Sequence, residues 1–204
     1  MSRTADHSLE LPPDVQALYA PVADALAEVE AVFRREMRSS DVLIDELARY
    51  GVLLGGKRLR PALVLLSGQA AGKLTDRHLV LGAVMEMIHT ATLIHDDVLD
   101  EADVRRHLAT INARWGEQAS VLLGDLLFTR AFQLACTLDD MWVCRTVGQS
   151  TNLVCEGELR QVGNSGNLLL GESEYLRIIE AKTAELCACC CRVGARFAGA
   201  DEQT

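Results

Sequence analysis

Apolar residues recur at helical spacing along most of this chain. Over 15–33 they fall mostly three or four positions apart, which predicts a long first helix. Further helices are predicted over 41–54, 59–71, 76–101, 112–135, 140–162 and 173–198. Asp41 and Thr75 are suitable N-caps, and Gly55 with Gly56 marks the end of a helix. Since no segment shows a convincing strand pattern, we expect an all-α fold.

The segment 76–101 is expected to lie at the centre of this fold. Its middle, LGAVMEMIHTATLI, is apolar on nearly all sides, as in a helix that is buried within a bundle. We expect neighbouring helices to run antiparallel and to be joined by short loops. The predicted organisation is a flexible tail over 1–13 followed by one helical domain over 14–204.

Composition and charge limit the classes of protein to which this chain can belong. Of the 204 residues 49% are hydrophobic and 4% aromatic, which suits a helical core. The net charge of −9 argues against a nucleic-acid partner, because such proteins usually concentrate positive charge. We find neither an apolar leader in MSRTADHSLELPPD nor a transmembrane segment, and we expect a cytoplasmic protein. The cysteines of CACCC at 187–191 are interpreted as small buried helix residues, with a zinc site as the alternative.

The sharpest chemical feature is HDDVLD at 95–100, where the central helix ends. Asp96 and Asp100 share a helix face, whereas Asp97 lies about 100° around the axis. Three acids repel one another, and a divalent cation with oxygen ligands, Mg²⁺ above all, would neutralise them. The alternative is a solvated acidic turn, which the negative end of the helix dipole disfavours. His89 lies within about 20° of the Asp96 face, although alone it would be interpreted as a core histidine.

Basic clusters accompany these acids. GGKRLRP places Lys57, Arg58 and Arg60 within one turn at a helix start, where free backbone N–H groups also favour anions. Arg105 and Arg106 follow the acids. Either cluster alone would be interpreted as a solvated patch. Together with metal-type carboxylates they indicate diphosphate ligands, held partly by Mg²⁺ and partly by Lys and Arg.

In combination these motifs resemble the trans-isoprenyl diphosphate synthases, also called polyprenyl synthetases. From about residue 45 to the end, the chain carries in that family's order GGKRLRP, MEMIHTATLIHDDVLDEADVRR, TINARWG, GDLLFTRAF, EGELRQ and EAKTAEL. The resemblance implies an isoprenoid-synthase-type antiparallel helix bundle around a central cavity. Class I terpene cyclases also carry DDxxD, but Lys57, Arg60 and His89 match the cradle for a second diphosphate that distinguishes the synthases.

The reaction that the resemblance implies joins isopentenyl diphosphate head to tail to an allylic diphosphate. Asp96 and Asp100, supported by Asp97, would hold the Mg²⁺ that draws off the allylic diphosphate group. The residues that match the isopentenyl diphosphate site are Lys57, Arg60, His89 and Arg106, with Arg58 of the same basic turn expected to bind substrate as well. Those that match the allylic site are Arg105 and Lys182, both expected to act in catalysis, and Thr183, with Glu158 and Gln161 lining the pocket.

The resemblance also implies how product length is set, because the growing chain runs along the helix that bears the acids. Ala91 and Thr92, one turn before Asp96, are small where short-chain synthases usually carry an aromatic ring. We therefore expect a cavity floor near Ile88 or Met85. From geranyl or farnesyl diphosphate, a medium- or long-chain product of the kind used for quinone side chains would follow. Such a product must reach a bilayer, so peripheral membrane association is a further expectation.

Parts of the chain depart from the family pattern. The second Asp-rich motif does not occur before Thr204, and DDMWV at 139–143 is no substitute because a valine stands where its third acid belongs, so we expect a C-terminally incomplete bundle. His107, Leu108 and Ala109 replace the usual loop, which contains glycine and proline. A second hypothesis is therefore a truncated, non-catalytic partner or remnant that binds diphosphate without turnover. Because family members are commonly homodimers, a homodimer is the expected assembly.

Overall fold

The structure is a computed structural model that describes residues 13–201. Within that range the all-α class is confirmed. The elements in chain order are α1 (Pro13–Tyr19), a 3₁₀ turn (Ala20–Val22), α2 (Ala23–Glu36), α3 (Val42–Leu53), α4 (Leu59–Ala71), α5 (Asp76–Leu99), β1 (Val104–Arg105), β2 (Leu108–Ala109), α6 (Ile111–Trp115), α7 (Glu117–Cys136), α8 (Met141–Gly163), α9 (Glu172–Ile179), a π-helical turn (Glu180–Ala184) and α10 (Glu185–Phe197). The predicted tail over 1–13 lies outside the described residues, apart from Pro13, which begins α1.

Local sequence determines where several helices begin. The side chain of Asp41 accepts hydrogen bonds from the backbone N–H groups of Leu43 (2.9 Å) and Ile44 (3.1 Å) and so caps α3. Thr75 and His78 form a capping box at the start of α5. These side chains satisfy amides that have no partner inside the helix. The predicted starts of α3 and α5 are confirmed for that reason.

Several predicted helices are interrupted. The first is divided by the 3₁₀ turn that contains Pro21, a residue without the N–H that a continuous helix uses. Gly116, with a φ of 87°, separates α6 from α7. The π-helical turn separates α9 from α10. The spacing of apolar residues alone does not reveal these breaks.

A small antiparallel hairpin overturns the expectation that the chain has no strand. β1 pairs with β2 just after the acidic end of α5, with Arg105 opposite Leu108. The turn residues Arg106 and His107 have φ values of 51° and 68°, and positive φ at both central positions is typical of the type I′ turn of two-residue hairpin loops. Strands of two residues each are too short to produce an alternating pattern in the sequence.

The central position predicted for α5 is confirmed. This helix packs against α2, α4, α7 and α10. Leu81, Met85 and Ile88 are fully buried, and burial of such a side chain contributes roughly 1.5–3 kcal/mol to stability. α5 therefore fixes the other helices, and with them the side chains that they carry.

By length and composition α7 is long and apolar enough to cross a membrane, although no transmembrane segment was expected. This helix packs along α5 and buries Leu123, Leu127 and Ala131. A core helix of a bundle has the same composition, so the apolar character of α7 is weak evidence for a membrane span.

The cysteines of CACCC lie on α10. Cys189 and Cys190 are fully buried in the core, as expected, whereas Cys187 and Cys191 are only half-buried. Within residues 13–201 no three His, Cys, Asp or Glu side chains are grouped so that they could hold a metal ion. The described structure therefore gives no support to a zinc site on this helix.

Candidate active site

A cavity of about 450 Å³ opens between α5, α7, α8 and the π-helical turn. Charged and apolar side chains share its wall, which is formed by Arg60, His89, Thr92, Leu93, His95, Asp96, Leu99, Phe128, Val154, Cys155, Glu158, Leu159, Lys182 and Thr183. Predicted site residues from distant segments of the sequence thus meet around one space. A larger groove of about 680 Å³ near Trp142 contains none of the predicted site residues.

Lys182 lies between two carboxylates of the cavity. Its Nζ is 2.5 Å from Oε2 of Glu158 and 3.8 Å from Oδ2 of Asp96. Burial raises the pKa of Asp96; the charge of Lys182 opposes this rise, whereas the charges of Glu158 and Asp100 add to it. Lys182 therefore supplies positive charge that stabilises ionised carboxylates at this end of the cavity.

The π-helical turn carries Lys182 and Thr183 to the cavity wall. Gly157 of α8 allows this approach, because a Cβ at position 157 would lie 2.8 Å from the backbone nitrogen of Lys182 and 2.9 Å from Cβ of Ala181. A π turn contains one residue more than an α turn and is frequent at functional sites. The glycine of EGELRQ is thus the point where this motif meets EAKTAEL.

The acids at the end of α5 have different surroundings. Asp97 is 2% exposed, and its Oδ1 accepts a 2.8 Å hydrogen bond from Nε of Arg105. Its Oδ2 is buried without a partner, and burial raises the pKa of Asp97. Asp100 is exposed just beyond α5, close enough to Asp96 for its charge to raise the pKa of Asp96. Asp96 and Asp100 therefore form the solvent-facing pair, whereas Asp97 is held by Arg105.

A strongly positive field surrounds His89. The pKa of His89 falls to about 3, first because the ring is buried and then because of the charges of Arg60, Arg106, Arg105 and Arg58. His89 is therefore neutral near pH 7 and is able both to donate and to accept a hydrogen bond. Nε of Arg60 is buried without a hydrogen-bond partner. An anionic ligand would satisfy that nitrogen and offset the positive field.

Arg106 connects the hairpin turn to the glycine turn ahead of α4. Its Nη1 donates a 2.6 Å hydrogen bond to the carbonyl oxygen of Gly55. Its guanidinium also covers Gly56 so closely that any Cβ there would collide with it. The paired glycines of GGKRLRP therefore have a packing role, and Lys57 is left exposed beside them.

Arg58, which was expected to bind substrate, does not line the cavity, and its guanidinium is engaged elsewhere in the structure. Its Nε donates a 2.8 Å hydrogen bond to Glu30, and its Nη1 donates a 2.7 Å hydrogen bond to Glu86. Glu86 is 2% exposed, and a buried carboxylate requires such a partner. The guanidinium of Arg58 is thereby committed to the interface between α2 and α5.

Comparison with known proteins agrees with this geometry. Residues 41–204 match the Polyprenyl synthetase family. This chain belongs to the polyprenyl synthetase family. It is 42% identical over 164 residues to octaprenyl diphosphate synthase of Escherichia coli (strain K12), a match that covers 80% of this chain and 51% of that protein. It is 39% identical over 172 residues to all-trans-nonaprenyl-diphosphate synthase (geranyl-diphosphate specific) of Rhodobacter capsulatus, with 84% and 53% covered.

Solved structures of polyprenyl synthetases have the same fold. A polyprenyl synthase from Caulobacter crescentus CB15, complexed with calcium and isoprenyl diphosphate, superposes with a TM-score of 0.88 at 38% identity, over 92% of this chain and 57% of that one. The family resemblance and the isoprenoid-synthase-type bundle are confirmed. The chain spans about half the length of the curated relatives it matches.

In this polyprenyl synthetase, the carboxylates at the end of α5 are suited to bind a hard divalent cation. Such cations are bound by oxygen, and Mg²⁺ commonly uses only one or two protein carboxylates, with water and substrate phosphate completing its shell. Asp96 and Asp100 offer a pair of this kind, and Oδ2 of Asp97 is a further carboxylate oxygen without a partner. The residues present therefore fit a cation that is shared with a phosphate ligand, although the described part of the chain contains no complete three-residue cluster.

The residues expected to set product length in this polyprenyl synthetase divide into two groups. Thr92 lines the cavity, whereas Ala91, Ile88 and Met85 do not. These three are fully buried in the bundle. One residue step turns a side chain by about 100° around a helix, so Ala91 points away from the Thr92 face, whereas Ile88 and Met85, four and seven positions earlier, lie near that face and deeper in the bundle. A cavity floor at Ile88 or Met85 therefore stays a prediction.

Sequence reasoning missed half of the cavity wall, namely Leu93, His95, Leu99, Phe128, Val154, Cys155 and Leu159. A signal existed for two of these residues. Leu93 is three positions before Asp96 on the same helix, and Phe128 lies inside GDLLFTRAF. Gln161 was expected to line the pocket, but it is exposed and donates a 3.4 Å hydrogen bond to Glu158.

Proposed function

We propose that this chain carries the substrate-binding region of a trans-polyprenyl diphosphate synthase, which condenses isopentenyl diphosphate with geranyl or farnesyl diphosphate. The observation that carries the proposal is the presence of two differently built anion sites at one cavity. Arginines surround His89, whereas carboxylates and a lysine surround Asp96. A reaction between two diphosphates needs two such sites, one that binds phosphate directly and one that binds it through a metal.

Isopentenyl diphosphate is assigned to the positive site. Arg60 has a buried nitrogen free to donate to a phosphate oxygen. Neutral His89 donates a hydrogen bond beside it, and Arg106 contributes its charge to the same field. Lys57, exposed at the glycine turn, adds positive charge where the ligand enters.

The allylic diphosphate is assigned to the acidic site. Asp96 and Asp100 would hold Mg²⁺ there, and the ion supplies the positive charge that stabilises the departing diphosphate group. Lys182, which pairs with Glu158 in the structure, would turn its ammonium toward the phosphate oxygens. Thr183 lies on the same wall and offers a hydroxyl donor.

The apolar wall is assigned to the prenyl chain. Leu93, Phe128 and Val154 line the cavity and exclude water, which protects an allylic cation from capture. Arg105 holds Asp97 in place at the end of α5 through their 2.8 Å hydrogen bond.

A medium- or long-chain product is part of the proposal. It is supported by the small side chain of Thr92 on the wall and by relatives named for octaprenyl and nonaprenyl diphosphate. We also propose a homodimer in the cytoplasm that associates peripherally with the membrane receiving the product. The alternative assembly is with a different subunit, because heptaprenyl diphosphate synthase component 2 of Geobacillus stearothermophilus is 35% identical over 188 residues.

Incubation of the purified chain with Mg²⁺, farnesyl diphosphate and labelled isopentenyl diphosphate tests the proposal. We expect extracted products longer than farnesyl, and we expect Asp96→Ala to abolish them while circular dichroism stays helical. A folded chain that binds pyrophosphate but makes no product would favour the partner-subunit hypothesis. A folded chain that neither binds pyrophosphate nor makes product would refute the assignment of both sites.

A further inference from the structure

Cys136 and Cys144 face each other where α7 ends and α8 begins. Their Sγ atoms are 3.8 Å apart, and Cys136 is exposed. Neither thiol lines the cavity described above. We propose that this pair is a reversible modification site, at which a low-molecular-weight disulfide such as oxidised glutathione closes an intramolecular Cys136–Cys144 disulfide.

The sulfur atoms of the two thiols are already in contact. A disulfide requires an Sγ–Sγ distance of about 2.05 Å, so the sulfurs must approach by roughly 1.8 Å. The turn between the helices is well defined, because Asp139 has a φ of 51° and the side chain of Asp140 accepts a 2.9 Å hydrogen bond from the N–H of Trp142. The cap at Asp140 fixes the first turn of α8, and Cys144 lies on that turn.

The remaining cysteines do not share this arrangement. Cys189 and Cys190 are fully buried on α10. Cys155 is exposed. Among the described residues the Cys136–Cys144 contact is the only one that brings two sulfurs within hydrogen-bonding distance. Selective oxidation of this pair is therefore expected from geometry alone.

The chemistry is two successive thiol–disulfide exchanges. The Cys136 thiolate attacks one sulfur of oxidised glutathione, which forms a mixed disulfide and releases one glutathione thiolate. The Cys144 thiolate then attacks Sγ of Cys136, which closes the protein disulfide and releases the second glutathione. The protein thiols lose two protons and two electrons, and one glutathione disulfide is reduced to two thiols. The exposed Cys136 is the entry point, because burial and the contact with Cys136 raise the pKa of Cys144.

Closure would fasten together two helices that form the cavity wall. α7 contributes Phe128 to that wall and α8 contributes Val154. The bond would also close a short loop and so restrict the unfolded chain, which stabilises the folded state. The site would thus make the rigidity of this wall depend on the surrounding thiol redox state.

The two cysteines fall in one tryptic peptide, 131–145, because no Lys or Arg lies between its ends. The native chain would be equilibrated with glutathione buffers of increasing oxidised fraction, alkylated with iodoacetamide, digested and analysed by mass spectrometry. We expect a peptide lighter by two hydrogen atoms and free of alkylation, which dithiothreitol converts back. The oxidised chain should also unfold at a temperature higher by several degrees, as for other short-loop disulfides.

Matched variants separate this pairing from general thiol reactivity. Cys144→Ser should leave a stable glutathione adduct on Cys136, whereas Cys155→Ser should form the internal disulfide as the unmodified sequence does. Unfolding in urea should remove the preference for the pair. Separate glutathione adducts on Cys136 and Cys144 of the native chain, at the oxidant concentration that modifies Cys155, would overturn the proposal.

Discussion

The imidazole ring of His95 fills the space that a side chain at Gly124 would occupy. Nε2 of His95 is 3.1 Å from the carbonyl oxygen of Val121, and the ring centroid is 5.8 Å from that of Phe128. These contacts pack the acidic end of α5 against α7 at His95, which immediately precedes Asp96. Because any side chain at position 124 would displace the ring of His95, the position of the Asp96 carboxylate depends on a glycine there.

Gly124→Ala is expected to destabilise the chain by about 1–3 kcal/mol, because the new methyl group collides with the ring of His95. Gly148→Ala is the matched control, since nothing lies within 4 Å of a Cβ added there. This control should stabilise α8 by roughly 0.5–1 kcal/mol. Urea unfolding followed by circular dichroism measures both changes, and effects of the same sign and size would contradict the packing role of Gly124.

His89 is expected to make stability fall as the pH decreases. Its pKa is about 3 in the folded chain, against about 6.5 when unfolded. Between these values the unfolded state binds a proton that the folded state excludes, so stability rises with pH by up to roughly 1.4 kcal/mol per unit. The contribution is complete above the unfolded pKa and is lost progressively below it.

Comparison with His89→Gln isolates this effect, because the buried carboxylic acids titrate in both proteins. Urea midpoints measured from pH 7 to pH 5 should fall more steeply for the histidine chain than for the glutamine variant. Parallel curves would mean that the ring of His89 is solvated and can take up its proton in the folded state.

Arg58→Met is expected to cost about 3–5 kcal/mol, because it leaves the buried carboxylate of Glu86 without its partner. Arg34→Met is the control, since the Arg34 side chain is 64% exposed in its ion pair with Glu30 and such pairs contribute about 0.2–1 kcal/mol. Thermal unfolding of the two variants should differ clearly. If Arg58→Met folds normally but loses pyrophosphate affinity, Arg58 is a ligand residue after all.

Thr92→Phe is expected to shorten the prenyl product, because Thr92 lies on the cavity wall. Ala91→Phe should instead destabilise the bundle, since Ala91 is fully buried away from the cavity and overpacking a core position costs about 1–3 kcal/mol or more. Chromatography of prenyl products and thermal unfolding test the pair. A shorter product from a stable Ala91→Phe chain would show that the prenyl chain follows the other face of α5.

Sequence reasoning succeeded where the determining interaction is local. Asp41 caps the helix that begins at the next residue, and the apolar run around Met85 can only belong to a buried helix. The acids Asp96 and Asp100 were recognised because a helix places residues four positions apart on one face.

Long-range packing was not predictable in the same way. Arg58 donates a hydrogen bond to Glu86, which lies 28 positions away in the sequence. Nothing in GGKRLRP distinguishes Arg58 from Arg60. The contact between Gly157 and the backbone of Lys182 likewise appears only when α8 meets the π-helical turn. Which residues line the cavity therefore depends on tertiary contacts, and the spacing of apolar residues along the sequence does not encode these contacts.

The π-helical turn at Glu180–Ala184 makes this region sensitive to chain length. A π turn differs from an α turn by a single additional residue, so a one-residue deletion here would let α9 and α10 merge into one regular helix. The segments on either side would then rotate by about 100° relative to each other. Either Lys182 would lose its contacts with the carboxylates of Asp96 and Glu158, or Gly194 would lose its close contact with the backbone of Val64. Lys182 reaches Asp96 of α5 and Glu158 of α8 because the helix accommodates that one inserted residue.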